Sequence, residues 1–89
     1  MRAEHQPAEQ RFHLSADGQR AELQYRRDDA RLTITHTAVP DAIAGRGIAS
    51  ALVEAALQYA RDSGLKVVPA CSYAEAYMRR HHQYHDLLA

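Results

Sequence analysis

Gly45, Arg46 and Gly47, together with Cys71, His36, Tyr73 and Tyr77, are the residues whose types and spacing could do chemistry in this chain. The glycines stand in AIAGRGIAS, residues 42–50, where a β-like run gives way to a helical one. A helix that begins there presents unpaired N–H groups and the positive end of its dipole to the loop. Two glycines remove the Cβ atoms that would keep a phosphate from the backbone. The amides around Gly45, Arg46, Gly47, Ile48 and Ala49 could therefore cradle a diphosphate. The plainer alternative is a turn leading into a helix. Two familiar phosphate motifs are excluded: Ser50 takes the third glycine place of G-x-G-x-x-G, and no G-x-x-x-x-G-K-[ST] occurs.

Cys71 has two readings, a small core residue or a nucleophile placed just ahead of a helix start, where the dipole favours thiolate. His36 is either a general base, since histidine titrates near neutrality, or a histidine packed on one face of its strand. Tyr73 and Tyr77 are candidate acids for a departing thiolate, or core residues. His81 and His85 lie one helical turn apart and, with His82 and Cys71, raise the question of zinc. No C-x-x-C or H-E-x-x-H frames them, so no metal is assigned, and the histidines are read as capping or solvating the tail.

These residues must be positioned by secondary structure. Phe12 and Leu14 alternate with polar neighbours, Asp17-Gly18 makes a turn, and Ala21, Leu23 and Tyr25 alternate along a second strand. After a turn at Asp28-Asp29, Leu32, Ile34, His36 and Ala38 are expected on one face of a third strand, with Thr33, Thr35, Thr37 and Val39 on the other. Three such runs read as an antiparallel meander, and Pro40 ends it. Ile48, Leu52, Ala55 and Tyr59 then follow a helical period, widened by Val53, Ala56, Leu57 and Ala60. Ser63-Gly64 closes that helix. Leu65–Ala70 reads as a buried strand. Ser72 followed by Glu75 reads as a capping box that starts a second helix near Tyr73.

Strand, helix and strand over residues 31–70 form a βαβ unit with parallel strands and a right-handed crossover. Both strands then end on the same edge, so the glycine loop and Cys71 face one crevice, the usual ligand position in such units. Residues 1–9, polar and carrying Pro7, are expected to be a loose, flexible arm, and residues 10–89 a single domain.

The 89 residues leave room for one domain with a thin core. Eleven basic and eleven acidic residues balance, so no general field gathers nucleic acid or a membrane surface. One cysteine forbids an internal disulfide. The N-terminus lacks the apolar run of a signal peptide, and no run approaches the ~18 apolar residues of a membrane helix. The expectation is a soluble, cytoplasmic protein without nucleic-acid or membrane partners.

Taken in order, Ile34-Thr35-His36-Thr37, Gly45-Arg46-Gly47-Ile48-Ala49, Leu65-Lys66-Val67-Val68-Pro69 with Cys71-Ser72-Tyr73, and the tail Tyr84-His85-Asp86-Leu87-Leu88 resemble the GNAT superfamily of acetyl-CoA-dependent N-acetyltransferases, and most closely its smallest members, described by a conserved Cys and Gly. The resemblance covers residues 10–88. Gly45 and Gly47 match the small positions of the loop pattern R/Q-x-x-G-x-G/A. Ala42 departs from its leading R/Q, and Ala44 stands where close relatives carry arginine. A backbone cradle needs neither side chain.

The resemblance implies an α+β domain with a GNAT-like mixed sheet: an antiparallel meander, a βαβ unit and short C-terminal helices. It implies acetyl-CoA as co-substrate and an acyltransferase that acetylates an amine, either a free one or a protein lysine. It sets the pantetheine arm against the backbone near Ala38 and Val39, the diphosphate at Gly45–Ala49, Tyr77 among the cofactor-binding positions, and Cys71 near the acetyl group. Direct attack by the amine and an acetyl-Cys71 intermediate both remain open, the resemblance favouring the second. The helices that larger members carry between the first two strands are missing, so the acceptor site is expected to be shallow, absent or completed by a partner. The rival reading is a non-catalytic acyl-CoA-binding or interaction module.

Overall fold

The computed structural model describes residues 2–89. The chain builds strands β1 (Glu4–Gln6), β2 (Arg11–Ala16), β3 (Gln19–Arg27) and β4 (Arg31–Ala38), helix α1 (Ile48–Asp62), strand β5 (Lys66–Pro69) and helix α2 (Ser72–Arg80). Short 3-10 turns occupy Pro7–Glu9, Asp41–Ile43 and His82–Leu87. The strands lie in sequence order in one sheet, antiparallel except for the parallel pair β4 and β5. This is the mixed α+β sheet the sequence implies.

Local chemistry fixes most of these elements. Asp17 and Gly18 both take left-handed φ, +50° and +74°, which matches the twist of the β2–β3 hairpin. The end of α1 is a Schellman turn: the Leu65 N–H donates to the Ala60 carbonyl at 2.8 Å and the Gly64 N–H to the Arg61 carbonyl at 3.2 Å. Leu52, Val53, Ala56, Leu57 and Ala60 of α1 are buried against Phe12, Leu14, Leu23, Tyr25, Leu32, Ile34 and Val67 of the sheet. Both helices pack on this one face, so the molecule has two layers. The tail is tied down by Arg61, whose guanidinium donates to Asp86 and to the Gln83 carbonyl, and by Lys66, which donates to the Asp86 carbonyl.

Two expectations are corrected. The loose arm is not one over Glu4–Glu9: β1 pairs with β2 in the register Glu4 to His13, His5 to Phe12 and Gln6 to Arg11, and a 3-10 turn follows. Met1 lies outside the described residues. The reason is His5. Its ring stacks flat on Phe12, centroids 4.1 Å apart, stands edge-on to Tyr59 at 4.4 Å, and shares a hydrogen bond with the Tyr25 hydroxyl. A residue counted as polar thus supplies the apolar contact of a three-residue strand.

The second correction concerns β4. Tyr25 faces Ile34 but Gln24 faces His36, so Thr35 is an extra residue and β4 bulges there. The Thr35 hydroxyl donates to the Gln24 carbonyl at 3.2 Å and holds the bulge. Beyond it the alternation inverts. His36 moves to the exposed face with Gln24, and Thr37 joins Leu23 on the helix side.

Burial, and then the Arg27 guanidinium, hold the His5 pKa below its ordinary 6.5. The unfolded chain therefore binds this proton first as pH falls, and the contribution of neutral His5 to stability is complete above about 6.5 and declines below it. The carboxylates of Asp28 and Asp86 are held below their ordinary range, by turn amides and by Arg61 respectively, so they titrate in a lower window. Urea unfolding between pH 7 and pH 5 is expected to show a loss of stability that is smaller in His5→Phe; an unchanged slope contradicts this account of β1.

Candidate functional site

The site begins where β4 and β5 part. Their register runs from Arg31 opposite Lys66 to Ile34 opposite Pro69 and stops. The N–H groups of Ala70 and Cys71 both donate to the Ile34 carbonyl, at 3.0 and 3.1 Å, and this fork ends the ladder. From Thr35 to Ala38, β4 is paired only on its β3 side. Backbone groups on the other edge, continuing to Ala38 and Val39, are thus open to an extended ligand.

The loop after β4 is anchored by Ile43, which is fully buried. Gly45 and Gly47 take φ of +79° and +77°, and a Cβ added to either would meet no protein atom within 4 Å. What glycine provides here is the left-handed backbone and open space beside it. Gly47 is the N-cap of α1, no side chain caps that end, and no acidic residue lies in the first turn. The first helical bond runs from the Ala51 N–H to the Gly47 carbonyl. The amides of Ile48, Ala49 and Ser50 are left to a ligand. A groove of about 310 Å³ lies against them, lined by Val39, Ala44, Gly45, Gly47, Ile48, Ala49 and Tyr73. The Arg46 guanidinium turns away and pairs with Asp17 of the β2–β3 turn at 2.6 Å. At this position only the backbone faces the groove.

Across the gap stands Cys71, the N-cap of α2. Its sulfur accepts the Ala74 N–H at 3.4 Å and lies 3.5 Å from the Thr37 hydroxyl. The expected capping box is therefore displaced by one residue. The thiol takes the role assigned to the Ser72 hydroxyl, Ser72 becomes the first helical residue, and Glu75 pairs with Arg79 one turn on, at 3.0 Å. The fork at Ile34 fixes the Cys71 amide, which delivers the sulfur to the helix end.

Tyr73, 39% exposed, shares a hydrogen bond of 2.8 Å with the Ser50 hydroxyl and so bridges the first turns of α1 and α2. Beyond this bridge is a smaller hollow of about 70 Å³, lined by Ser50, Tyr73, Ala76, Tyr77, Arg80 and His81. Tyr77 is buried and stacks on His81 with centroids 3.8 Å apart. Burial, and next Glu54, push its phenol up to about 12, so it keeps its proton. Arg80 has no ion-pair partner among the described residues. His81 and His85 each bond a carbonyl near the end of α2, those of Tyr77 and Met78. No group of three metal-ligating side chains occurs among the described residues.

The structure thus brings together Val39, Gly45, Gly47, Ile48, Ala49 and Tyr73 at one groove, with Ala38 and Cys71 at the parting of the strands behind it. Tyr77 belongs to the adjoining hollow. Arg46 and His36 stand apart, one held by Asp17, the other on the opposite face of the sheet. Sequence reasoning missed Thr37, Ser50 and Arg80. Thr37 is hidden by the bulge, which inverts its face. Ser50 carried a signal, a hydroxyl in the first turn of a helix that has no side-chain cap.

The parallel pair thus ends beside an uncapped, glycine-led helix in a two-layer α+β domain, and comparison with known proteins gives the class. Residues 11–87 match the family model for GCN5-related N-acetyl-transferase, and the chain belongs to that family. It is similar to Protein NATD1 of Mus musculus, 37% identical over 82 residues that cover 89% of this chain and 74% of that protein. Protein NATD1 of Homo sapiens is also 37% identical, with 73% of it covered. Among solved structures it resembles a GCN5-like protein of Staphylococcus aureus studied by NMR, with a TM-score of 0.75 and 27% identity, over 98% of this chain and 86% of that one.

Losing a cap costs about 1 kcal/mol. Cys71→Ala is expected to destabilise the fold by about that amount in urea, and Cys71→Ser, which keeps an acceptor at the helix end, by less. Equal stability of the wild type and both variants contradicts a capping role for the sulfur.

Proposed function

We propose that this protein transfers an acetyl group from acetyl-CoA to an amine, through an acetyl-Cys71 intermediate. The observation that carries the proposal is the set of unpaired α1 amides at a glycine loop, facing a groove that leads toward the open edge of β4 and a thiol. Ile48, Ala49 and Ser50 offer their N–H groups to the diphosphate. A charge at a helix end gains about 0.3–1 kcal/mol from the dipole, and up to ~2 kcal/mol when partly buried, so hydrogen bonds from several amides are needed to hold it. Ala38 and Val39 pair with the pantetheine amides along the edge that β5 leaves free. Arg80, at the rim of the second hollow, is available to the nucleotide end.

Cys71 then attacks the thioester carbonyl. A C–S bond to Cys71 forms, the bond to the coenzyme sulfur breaks, and the proton of the Cys71 thiol reaches the leaving sulfur by way of Tyr73, which gives up its phenolic proton and takes the thiol's. The Ala74 N–H and the Thr37 hydroxyl hold the sulfur in place throughout. In the second half, the amine nitrogen attacks the acetyl carbon, the C–N bond forms, and the thiolate of Cys71 leaves. His36, on the exposed face of β4, accepts the proton the nitrogen gives up and returns it through solvent to the Cys71 thiolate. The reaction belongs in the cytoplasm, where a single free cysteine stays reduced. Among the described residues no helix is long and apolar enough to cross a membrane. One observation favours the second reading, a non-catalytic acyl-CoA module: the sheet face that should receive the acceptor carries no helix and no enclosing wall.

Acetyl-CoA at a hundred times its Kd is expected to add about 2.7 kcal/mol of stability and to raise the melting temperature by roughly 10–20 °C. In Gly47→Asp the shift should vanish, because a carboxylate takes the place of the diphosphate; an intact shift contradicts the loop assignment. Intact-mass spectra after incubation with acetyl-CoA alone should gain about 42 Da, one acetyl group, in the wild type and not in Cys71→Ala. Full amine acetylation by Cys71→Ala excludes the covalent route, and binding without turnover over a broad panel of amines favours the second reading.

A further inference from the structure

The sheet face turned away from α1 and α2 is bare. It carries Arg11 and His13 of β2, Arg20, Glu22, Gln24 and Arg26 of β3, Thr33 and His36 of β4, and Val68 of β5. Five hollows of the surface lie elsewhere, one of them, about 270 Å³, reaching the edge of this face at Lys66. The gap between β4 and β5 opens onto this face beside Thr33, which is paired with Arg26 on one side and Val68 on the other. On the reading proposed above, on which this inference rests, the coenzyme fills the helix side. The bare face is then the approach left to the acceptor.

Two properties of that approach select a kind of acceptor. The first is shape. A small molecule binds by burying most of its surface in a concavity, and the one hollow that touches this face lies at its edge, by Lys66, whereas a protein segment can spread its contacts over an open surface. The second is charge. Arg26 is exposed, and no carboxylate lies within ion-pair distance of it among the described residues. One row on, Arg31 faces Lys66 across the parallel pair. Lys66 donates to the Asp86 carbonyl, and the Asp86 carboxylate, bound chiefly by Arg61, offsets part of its charge. Asp28 offsets part of the Arg31 charge from the adjacent turn, where its carboxylate accepts the Ala30 and Arg31 amides. Of the carboxylates of this face, Glu22 lies two rows along β3 from Arg26, opposite Ala38, and is bonded to Gln24, while Glu4 stands 4.0 Å from His13 at the far edge. Arg11 is paired with Glu9, while Arg20 donates to His13, which leaves its charge in place at the other end of β3.

We infer that the acceptor amine is carried on a protein segment, and that carboxylates of this segment lie over Arg26 and the Arg31–Lys66 row, which opens the paired part of β4 and β5. The amine enters between Thr35 and Ala70, while the flanking residues rest on the sheet.

Amide spectra test this with three probes: a capped pentapeptide holding one lysine between two pairs of aspartates, its counterpart with arginines, and spermidine. With coenzyme A bound, the aspartate peptide is expected to move the amides of Gln24, Arg26, Thr33 and His36 and to bind about fivefold more tightly than the arginine peptide, the gain of a few exposed charge pairs. Arg26→Glu, on an exposed position, should reverse the order. The face is preformed, so the same preference should persist without coenzyme. Equal binding of the two peptides, spermidine binding as tightly as the aspartate peptide, or shifts confined to the helix side overturns the inference. The acetyl-CoA reading fails separately, at the amides of Gly45 and Gly47 when coenzyme A is added.

Discussion

Two amides converge on the carbonyl of Ile34, and the site depends on where they do so. A parallel ladder spends one donor and one acceptor at each step. When Ala70 and Cys71 both donate to the same oxygen, β5 has no donor for the next carbonyl of β4, and Pro69 just before them has no N–H at all. The strands part. One consequence is an unpaired edge on β4 at the place where an extended, amide-bearing ligand would lie. Another is the orientation of Cys71, whose backbone is fixed by the fork and whose sulfur is then directed to the first turn of α2. The bulge at Thr35 completes the arrangement by turning Thr37 to the helix side, within 3.5 Å of that sulfur.

The remainder of the fold keeps this opening from collapsing. A single layer of helix covers one face of the sheet, and the fully buried α1 residues Leu52, Val53, Ala56, Leu57 and Ala60 fix the height of the helix above it. Tyr73 and Ser50 then tie the two helix N-termini together across the groove. The far end of the same helix is held by the aromatic group of His5, Phe12, Tyr25 and Tyr59. In a domain of this size little surface can be buried, and the second sheet face is left in water. The economy has a consequence for the proposed transfer: the side assigned to the acceptor is open and polar.

Much of this was legible in the chain. The helical period after Gly47, the β-branched run before Cys71 and the alternation in β2 and β3 each announce their element, and the order of elements alone places the glycine loop and the thiol at one crevice. The tail Tyr84–Leu88 and the glycines also marked the family correctly. What could not be read depended on single steps of register. One extra residue at Thr35 moves His36 from the core-facing row to the exposed one, and no periodicity shows it. The cap of α2 shifted by one because sulfur accepts the amide that a serine hydroxyl was expected to take. β1 is three residues long, too short to display an alternation, and its anchor is a histidine. Arg46 is drawn to Asp17, a partner 29 positions away that only the hairpin brings close.

The central claim is that bare amides at the start of α1 hold a diphosphate beside a thiol at the parting of two strands. A titration of the nitrogen-labelled protein with coenzyme A, followed amide by amide, tests it most directly. The account predicts large, saturable shifts at Gly45, Gly47, Ile48, Ala49 and Ser50, with smaller ones at Ala38, Val39 and Cys71. Amides at these positions that stay unmoved in millimolar excess of coenzyme A would contradict it.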